Sequence, residues 1–375
     1  MQKYINILIV LTIGAFLSGC NIYFNGTDGA ADGVGNDGMH VTFAISAGHP
    51  DYSFTKSSCD TLYLEDGTKW ESFIDMAGND YLFYLFDGNG VFREILNVTE
   101  IKSSDSKTYL VKAETREIYQ SFTIVALANW RTGAWDMISA GTSYPILDIG
   151  SSTIDEIWNN TAGLRVYDSD SRTFTPSATD RIPMYGARTY KPEDIDFTTE
   201  EISLGTIYLI RSLAKIDVYV SANSGVTLNS VSLNCYSNCF HCAPVEMTAM
   251  DDEWDQATDD TMNTNLTQES SSPSSLEFVK IEENLFRLYV PEYPNKREDL
   301  TPSTISVSMT KNGIENGGTI HFEGMELPSS TEKTRLNILR NNYYKFCITG
   351  VTDYNTETYI EVVPFDDVNN DIVFE

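Results

Sequence analysis

The chain has 375 residues, with 25 Lys and Arg against 54 Asp and Glu and a formal net charge of −29. An acidic surplus of this size excludes nucleic-acid recognition, which needs a basic patch to neutralise phosphate, and opposes docking on anionic head groups. The hydrophobic share of 41% suffices for a core, and 21 Tyr and 18 Phe among many Thr, Ser, Ile and Val point to strands.

Residues 1–19 read as a signal peptide. Lys3 gives a basic start, Ile5 to Phe16 an apolar run, and Leu17-Ser18-Gly19-Cys20 a small-residue ending. A hydrocarbon core needs about 20 apolar residues, so the run is secretory rather than membrane-spanning. The Leu-Ser-Gly-Cys ending resembles the bacterial lipoprotein signal. That implies cleavage between Gly19 and Cys20, with palmitate-type acyl chains on Cys20, and a surface-exposed lipoprotein of the outer membrane. Several acyl chains hold a protein where one does not, so the lipid supplies the anchor that the acidic surface cannot. Residues 20–38 are polar, glycine-rich and aperiodic, a flexible tether. Asp28, Asp32, Asn36 and Asp37 in it are oxygen ligands, but their spacing lacks the order and closing Glu of a calcium loop.

From residue 39 short strands dominate. Val41, Phe43 and Ile45 alternate with small or polar residues. Tyr81 to Phe86, the turn Asp87-Gly-Asn-Gly90 and Val91 to Leu96 predict a hairpin, and the doubly apolar run Phe122 to Ala128 predicts a central strand. Ser152 to Trp158 predicts one short helix, with Ser152 as cap and Asp155 and Glu156 favoured by the dipole. Residues 207–221 alternate as one long strand, with Arg211, Lys215 and Asp217 on its polar face. Further strands are predicted at 226–233, 285–290, 305–309, 319–322, 343–348 and 359–363, and a long acidic loop at 251–275. Strands and turns with almost no helix imply an all-β chain of two tandem sandwiches, over 39–203 and 204–375.

Cys235, Cys239 and Cys242 form the loudest local pattern. Their C-x3-C-x2-C spacing is also that of radical SAM enzymes, but alternating strands and export argue against an iron–sulfur cluster. A zinc site with His241 is chemically conceivable yet tightly spaced. Disulfides are the ordinary reading, and with Cys59 and Cys347 the count after Cys20 is odd. Cys347, between Phe346 and Ile348, reads as a small buried hydrophobe. The chain contains no nucleophile elbow, zinc-protease helix or phosphate-binding loop, so neither catalysis, nor a cofactor, nor a metal is expected. Trp70, Trp130, Trp135, Trp158 and Trp254 could build a sugar-stacking platform or simply pack.

Four segments carry a family resemblance. Ile182-Pro-Met-Tyr-Gly186 resembles the "P-M-x-G" segment that closes the first domain of fimbrillin-type proteins. Arg211-Ser-Leu-Ala-Lys-Ile-Asp-Val218 resembles the "R-x-x-A-K-I-x-V" strand that opens their second. Leu339 to Phe346 resembles their "R-N-x-x-Y" strand, and Ile360-Glu-Val-Val-Pro-Phe365 is similar to their terminal strand. With the lipoprotein signal, these segments make the chain similar to the type V pilus subunits: anchor, stalk and tip. The resemblance implies two transthyretin-like sandwiches and assembly with other pilin subunits by strand addition. The exchanged first strand would be Val41, Phe43 and Ile45, and the donor strand Tyr359, Ile360, Val362 and Val363. It also implies a place in a fimbrium and adhesion to a host or bacterial surface receptor. In stalk subunits an arginine-specific protease removes the first strand, but no arginine occurs here between Cys20 and Arg93. That favours a retained anchor, an uncut accessory subunit or another protease. A surface glycan-binding lipoprotein is the alternative reading.

Overall fold

The computed structural model describes residues 39–47, 70–104, 107–119, 121–130, 144–159, 161–163, 173–196, 201–221, 224–237, 239–244, 262, 275–325, 333–352 and 355–364. The first half contains β1 (Met39–Ser46), β2 (Tyr81–Asp87), β3 (Phe92–Ile95), β4 (Asn97–Ser103), β5 (Thr108–Thr115), β6 (Phe122–Ala128), helix α1 (Asp155–Trp158), β7 (Thr161–Gly163), β8 (Met184–Tyr190), β9 (Glu201–Tyr208) and β10 (Ile210–Arg211). The second contains β11 (Ala214–Val220), β12 (Val226–Asn234), β13 (Cys239–His241), β14 (Ser275–Glu277), β15 (Val279–Glu282), β16 (Leu285–Val290), β17 (Thr304–Lys311), β18 (Ile314–His321), β19 (Glu323–Met325), β20 (Lys333–Arg335), β21 (Asn342–Thr352) and β22 (Asn355–Pro364).

These strands make two tandem β-sandwiches. Sheets β4-β5-β1-β9 and β10-β8-β6-β2-β3 enclose the first core; sheets β15-β16-β11-β21-β22 and β14-β12-β17-β18 enclose the second. Period-two alternation builds each core. Val41, Phe43 and Ile45 meet Phe83, Leu85, Ile124 and Ala126 in the first. Ile216, Val218, Leu228, Leu288, Val307 and Phe346 meet in the second.

A third apolar cluster fills the space between the sandwiches. It takes Tyr84, Phe86, Val125 and Leu127 from the back of the first, and Tyr219, Tyr289, Tyr343 and Cys347 from the back of the second. The central sheet of the first sandwich is thus buried on both faces, which is why Phe122 to Ala128 is apolar at successive positions. The short pair β7–β13 also spans the two halves, with Phe240 opposite Ala162.

The hairpin forms as β2 and β3, with Asp87 accepting from the Asn89 and Val91 N–H groups to close its turn. Three expectations change. Ser152 does not cap the helix: α1 begins at Asp155 behind Ile154, with no side-chain cap, because the Ser152 hydroxyl accepts from Asp148 N–H at 2.9 Å and donates to Glu156 at 3.0 Å. The long strand at 207–221 is instead the end of β9, then β10, then β11, in three different sheets. Alternation fixes which face a residue takes, not which sheet it joins. The first sandwich therefore runs past residue 203, and the chain crosses to the second between Arg211 and Ala214. Finally, Cys347 is buried as expected but is disulfide-bonded, while Cys235 and Cys242 are outside any disulfide.

Candidate functional site

The exchanged-strand candidates lie in β1, which is the chain's first described strand yet occupies an inner position of its sheet. β1 pairs antiparallel with β5 over its whole length, Phe43 opposite Val111, and parallel with β9, Val41 opposite Ile202. Val41, Phe43 and Ile45 point into the core, and the Phe43 ring stands edge-on to Phe83 with centroids 5.0 Å apart. Burial of each such side chain contributes roughly 2 kcal/mol. The other face of β1 is wetter: His40 lies 3.9 Å from Glu114, and on the flanking strands Lys112 pairs with Glu201 at 2.9 Å. Withdrawal of β1 would leave a slot bounded by the backbones of β5 and β9 and floored by apolar side chains.

The end of this strand enters a buried polar junction. Arg211, 1% exposed, donates from Nη2 to the Ala47 carbonyl at 3.0 Å, from Nε to the Glu71 carbonyl at 2.8 Å and from Nη1 to Asn341 Oδ1 at 3.3 Å. Glu71, fully buried, holds Lys215 Nζ at 3.0 Å and accepts from the Tyr289 hydroxyl. Beside them Arg287 forks onto Asp217 at 2.8 and 2.7 Å, and Tyr343 donates to Asp217 at 2.6 Å. Burial raises the Tyr289 and Tyr343 phenols well above their ordinary value, with Glu71 and Asp217 as the next causes, and burial lowers Lys215. For Arg287 burial opposes the charge, but the Asp217 carboxylate holds it above its ordinary value.

Two sequence motifs that carried the resemblance meet here: Arg211 and Lys215 from the strand that opens the second domain, Arg340 to Tyr343 from the late one. Arg340 pairs with Glu292 at 2.7 Å. Glu71 was not singled out by sequence; nothing in its local pattern separates it from the other carboxylates. The P-M-x-G segment also gains a reason. A Cβ on Gly186 would lie 2.4 Å from the Tyr208 carbonyl oxygen, so only glycine lets β8 approach the β9 end this closely.

The remaining candidates do not join this site. Tyr359, Ile360, Val362 and Val363 lie in β22, the outermost strand of the second sandwich's five-stranded sheet, where Ile360 pairs with Phe346 and Val362 with Tyr344. Gly19 and Cys20, the tether, Cys59, Trp135, Trp254 and most of the 251–275 segment lie outside the described residues, as does the Cys239 side chain. Among the described residues no group of three or more His, Cys, Asp or Glu could hold a metal ion. Burial pushes the Cys242 thiol far up, and burial together with the Arg340 charge brings His241 down to about 4. Trp130, 3% exposed, donates its indole N–H to the Met184 carbonyl at 3.0 Å, and Trp158, half-buried, donates to the Tyr185 hydroxyl at 3.3 Å; both pack on the apolar cluster between the sandwiches.

No protein-family model and no curated protein matches the chain. Solved structures do. The C-terminally truncated tip fimbrial protein Mfa3 of Porphyromonas gingivalis is similar at 14% identity over 87% of this chain and 99% of that one, with a TM-score of 0.51. A candidate cell adhesion protein of Parabacteroides distasonis is similar at 17% identity over 89% of this chain and 99% of that one, also with a TM-score of 0.51. The likeness spans both sandwiches and nearly the whole of each relative. The chain has the tandem-sandwich fold of the fimbrillin-type proteins that its sequence resembles.

Proposed function

We propose that this protein is a structural, non-enzymatic subunit of a cell-surface fimbria, lipid-anchored through Cys20, that assembles by β-strand exchange and supports adhesion. The observation that carries the reading is the position of β1: the first described strand, seated between β5 and β9 rather than at an edge. An inner strand that precedes every other described strand can leave its sheet and be replaced while the order of the later strands is kept. Its loss opens two unpaired backbone edges, and a β-strand from a neighbour satisfies both at once. The fold shared with a fimbrial tip protein supports this reading, as does the lipoprotein-like signal. The absence of arginine before Arg93 favours a subunit that keeps β1 until assembly or is cut by a protease of different specificity.

The test is expression of the full precursor in a pilus-forming Gram-negative host, with mass spectrometry of the mature N-terminus in the outer-membrane and fimbrial fractions. An acylated Cys20 is the expected form in the membrane fraction, and Cys20→Ala is expected to release the protein from it. A soluble, unlipidated chain absent from fimbriae would overturn the reading.

A further inference from the structure

We propose that Arg211 selects the strand that may occupy the β1 slot, by requiring a main-chain carbonyl at the position now held by Ala47. The inference rests on the strand-exchange reading above and adds to it a specificity-determining residue and a description of the partner strand.

The argument begins with the end of β1. The Ser46 carbonyl accepts from Leu209 N–H at 2.7 Å, and one residue on the Ala47 carbonyl accepts from Arg211. Ala47 itself is 1% exposed and packs in the first core. Arg211 is buried, and its other acceptors include the Glu71 carbonyl, Asn341 Oδ1 and, at 3.5 Å, Ser72 Oγ. A guanidinium cannot discharge by losing a proton at any ordinary pH. If the slot were empty, or filled by a strand stopping at the position of Ile45, Nη2 would lose its nearer acceptor and keep the Ser72 hydroxyl at 3.5 Å. An unsatisfied buried charged donor is more costly than an ordinary lost hydrogen bond.

The slot therefore specifies its occupant. The incoming strand runs antiparallel to β5 and parallel to β9. It presents apolar side chains at the positions of Val41, Phe43, Ile45 and Ala47, and it extends far enough to offer Arg211 a carbonyl. Because Arg211 also holds Glu71 and Asn341, a strand that meets this requirement completes the junction between the sandwiches. A short one leaves the junction open. Occupancy of the groove and firmness of the inter-sandwich contact are thus linked through one side chain.

A full chain carrying a site for a sequence-specific protease between residues 48 and 69 would be nicked, unfolded in urea and refolded with excess fluorescent peptide of the sequence Met39 to Gly48. Binding is read by anisotropy. The comparison peptide carries an ester in place of the amide whose carbonyl belongs to Ala47, because an ester carbonyl is a weaker acceptor. On the otherwise wild-type chain the ester is expected to weaken binding about tenfold. On the Arg211→Met chain the two peptides are expected to bind within about twofold of each other; Arg211→Lys, which keeps the charge but loses the fork, replaces it if the Met variant fails to refold. Equal binding of ester and amide to the wild-type chain would overturn the role of Arg211 while leaving strand exchange standing. Failure of every peptide to enter the nicked chain would overturn the strand-exchange reading, and this inference with it.

Discussion

Lys215 Nζ of the second sandwich lies 3.0 Å from Glu71 Oε1 of the first, and both side chains are closed to water. A buried ion pair gives little net stability over a well-packed apolar pair, but loss of one partner leaves an uncompensated charge in a medium that solvates it badly. Here the pair is further tied by the Tyr289 hydroxyl on Glu71 and by the Tyr343 ring, whose centroid lies 4.6 Å from Lys215 Nζ. The contact between the sandwiches is therefore a fixed polar junction inside an apolar cluster.

Glu71→Ala is expected to destabilise the chain by about 3–5 kcal/mol, because Lys215 is then buried alone. Glu71→Gln combined with Lys215→Met, which removes the charge of both partners and keeps an acceptor for Tyr289, is expected to recover much of that loss. Urea denaturation of the two variants beside the wild type measures both effects. A single variant as stable as the wild type would show that the junction opens without consequence.

Gly186→Ala places a methyl group 2.4 Å from the Tyr208 carbonyl oxygen and 2.8 Å from the Leu209 side chain. Leu209 can turn aside, but the backbone oxygen cannot. Strain of this kind costs about 1–3 kcal/mol. The thermal midpoint should fall accordingly, and the loss should exceed that of Gly317→Ala, where the nearest atom is 3.9 Å away.

His241 supplies a pH dependence whose sign is fixed. Its folded-state value of about 4 lies below the ordinary 6.5, so between those values the unfolded chain binds a proton that the folded chain refuses. Stability from this residue is full above pH 6.5 and falls as the pH drops toward 4, by at most about 3 kcal/mol. Carboxylates titrate nearby in pH, so the measurement is a difference. The fall in unfolding free energy between pH 7 and pH 4.5 should be smaller in His241→Gln than in the wild type. An identical fall in both would contradict the assignment.

Phe43→Ala removes an aromatic ring from the core-facing row of β1 and its edge contact with Phe83. The expected loss is about 3–5 kcal/mol. The same substitution placed in the free Met39 to Gly48 peptide should abolish its competition for the slot, whereas Thr42→Ala, on the half-exposed face, should be nearly silent. Equal effects at the two positions would mean that β1 is not held by its core face.

Much of the fold was legible because it is written in alternation. Phe83 and Leu85 against Tyr84 and Phe86 mark a strand covered on both faces, and Leu285 to Val290 is buried throughout for the same reason, with Arg287 its one charged residue. What alternation could not tell is the partner of each strand, so residues 207–221 read as one element although they serve three sheets. The junction was illegible for a related reason. Arg211, Lys215 and Asp217 occupy the polar side of an alternating strand, which normally faces water; only the packing of a second sandwich against that side buries them. Glu71 had no local signal at all, since its role depends on partners far away in sequence. The slot itself was legible in part: Val41, Phe43 and Ile45 announced a core-facing strand, but its inner position between β5 and β9 is a property of the tertiary fold.

The most direct test of the account is a photocrosslinker at Leu110 in the full-length protein, followed by peptide mapping of intact fimbriae. Leu110 is 53% exposed on β5 and sits directly across from Ala44 of β1, so the substitution disturbs no core contact while watching the slot. Strand exchange predicts crosslinks from Leu110 to an extended segment of a neighbouring subunit. Crosslinks confined to the chain's own residues 39–47, in a protein recovered only as monomer, would contradict it.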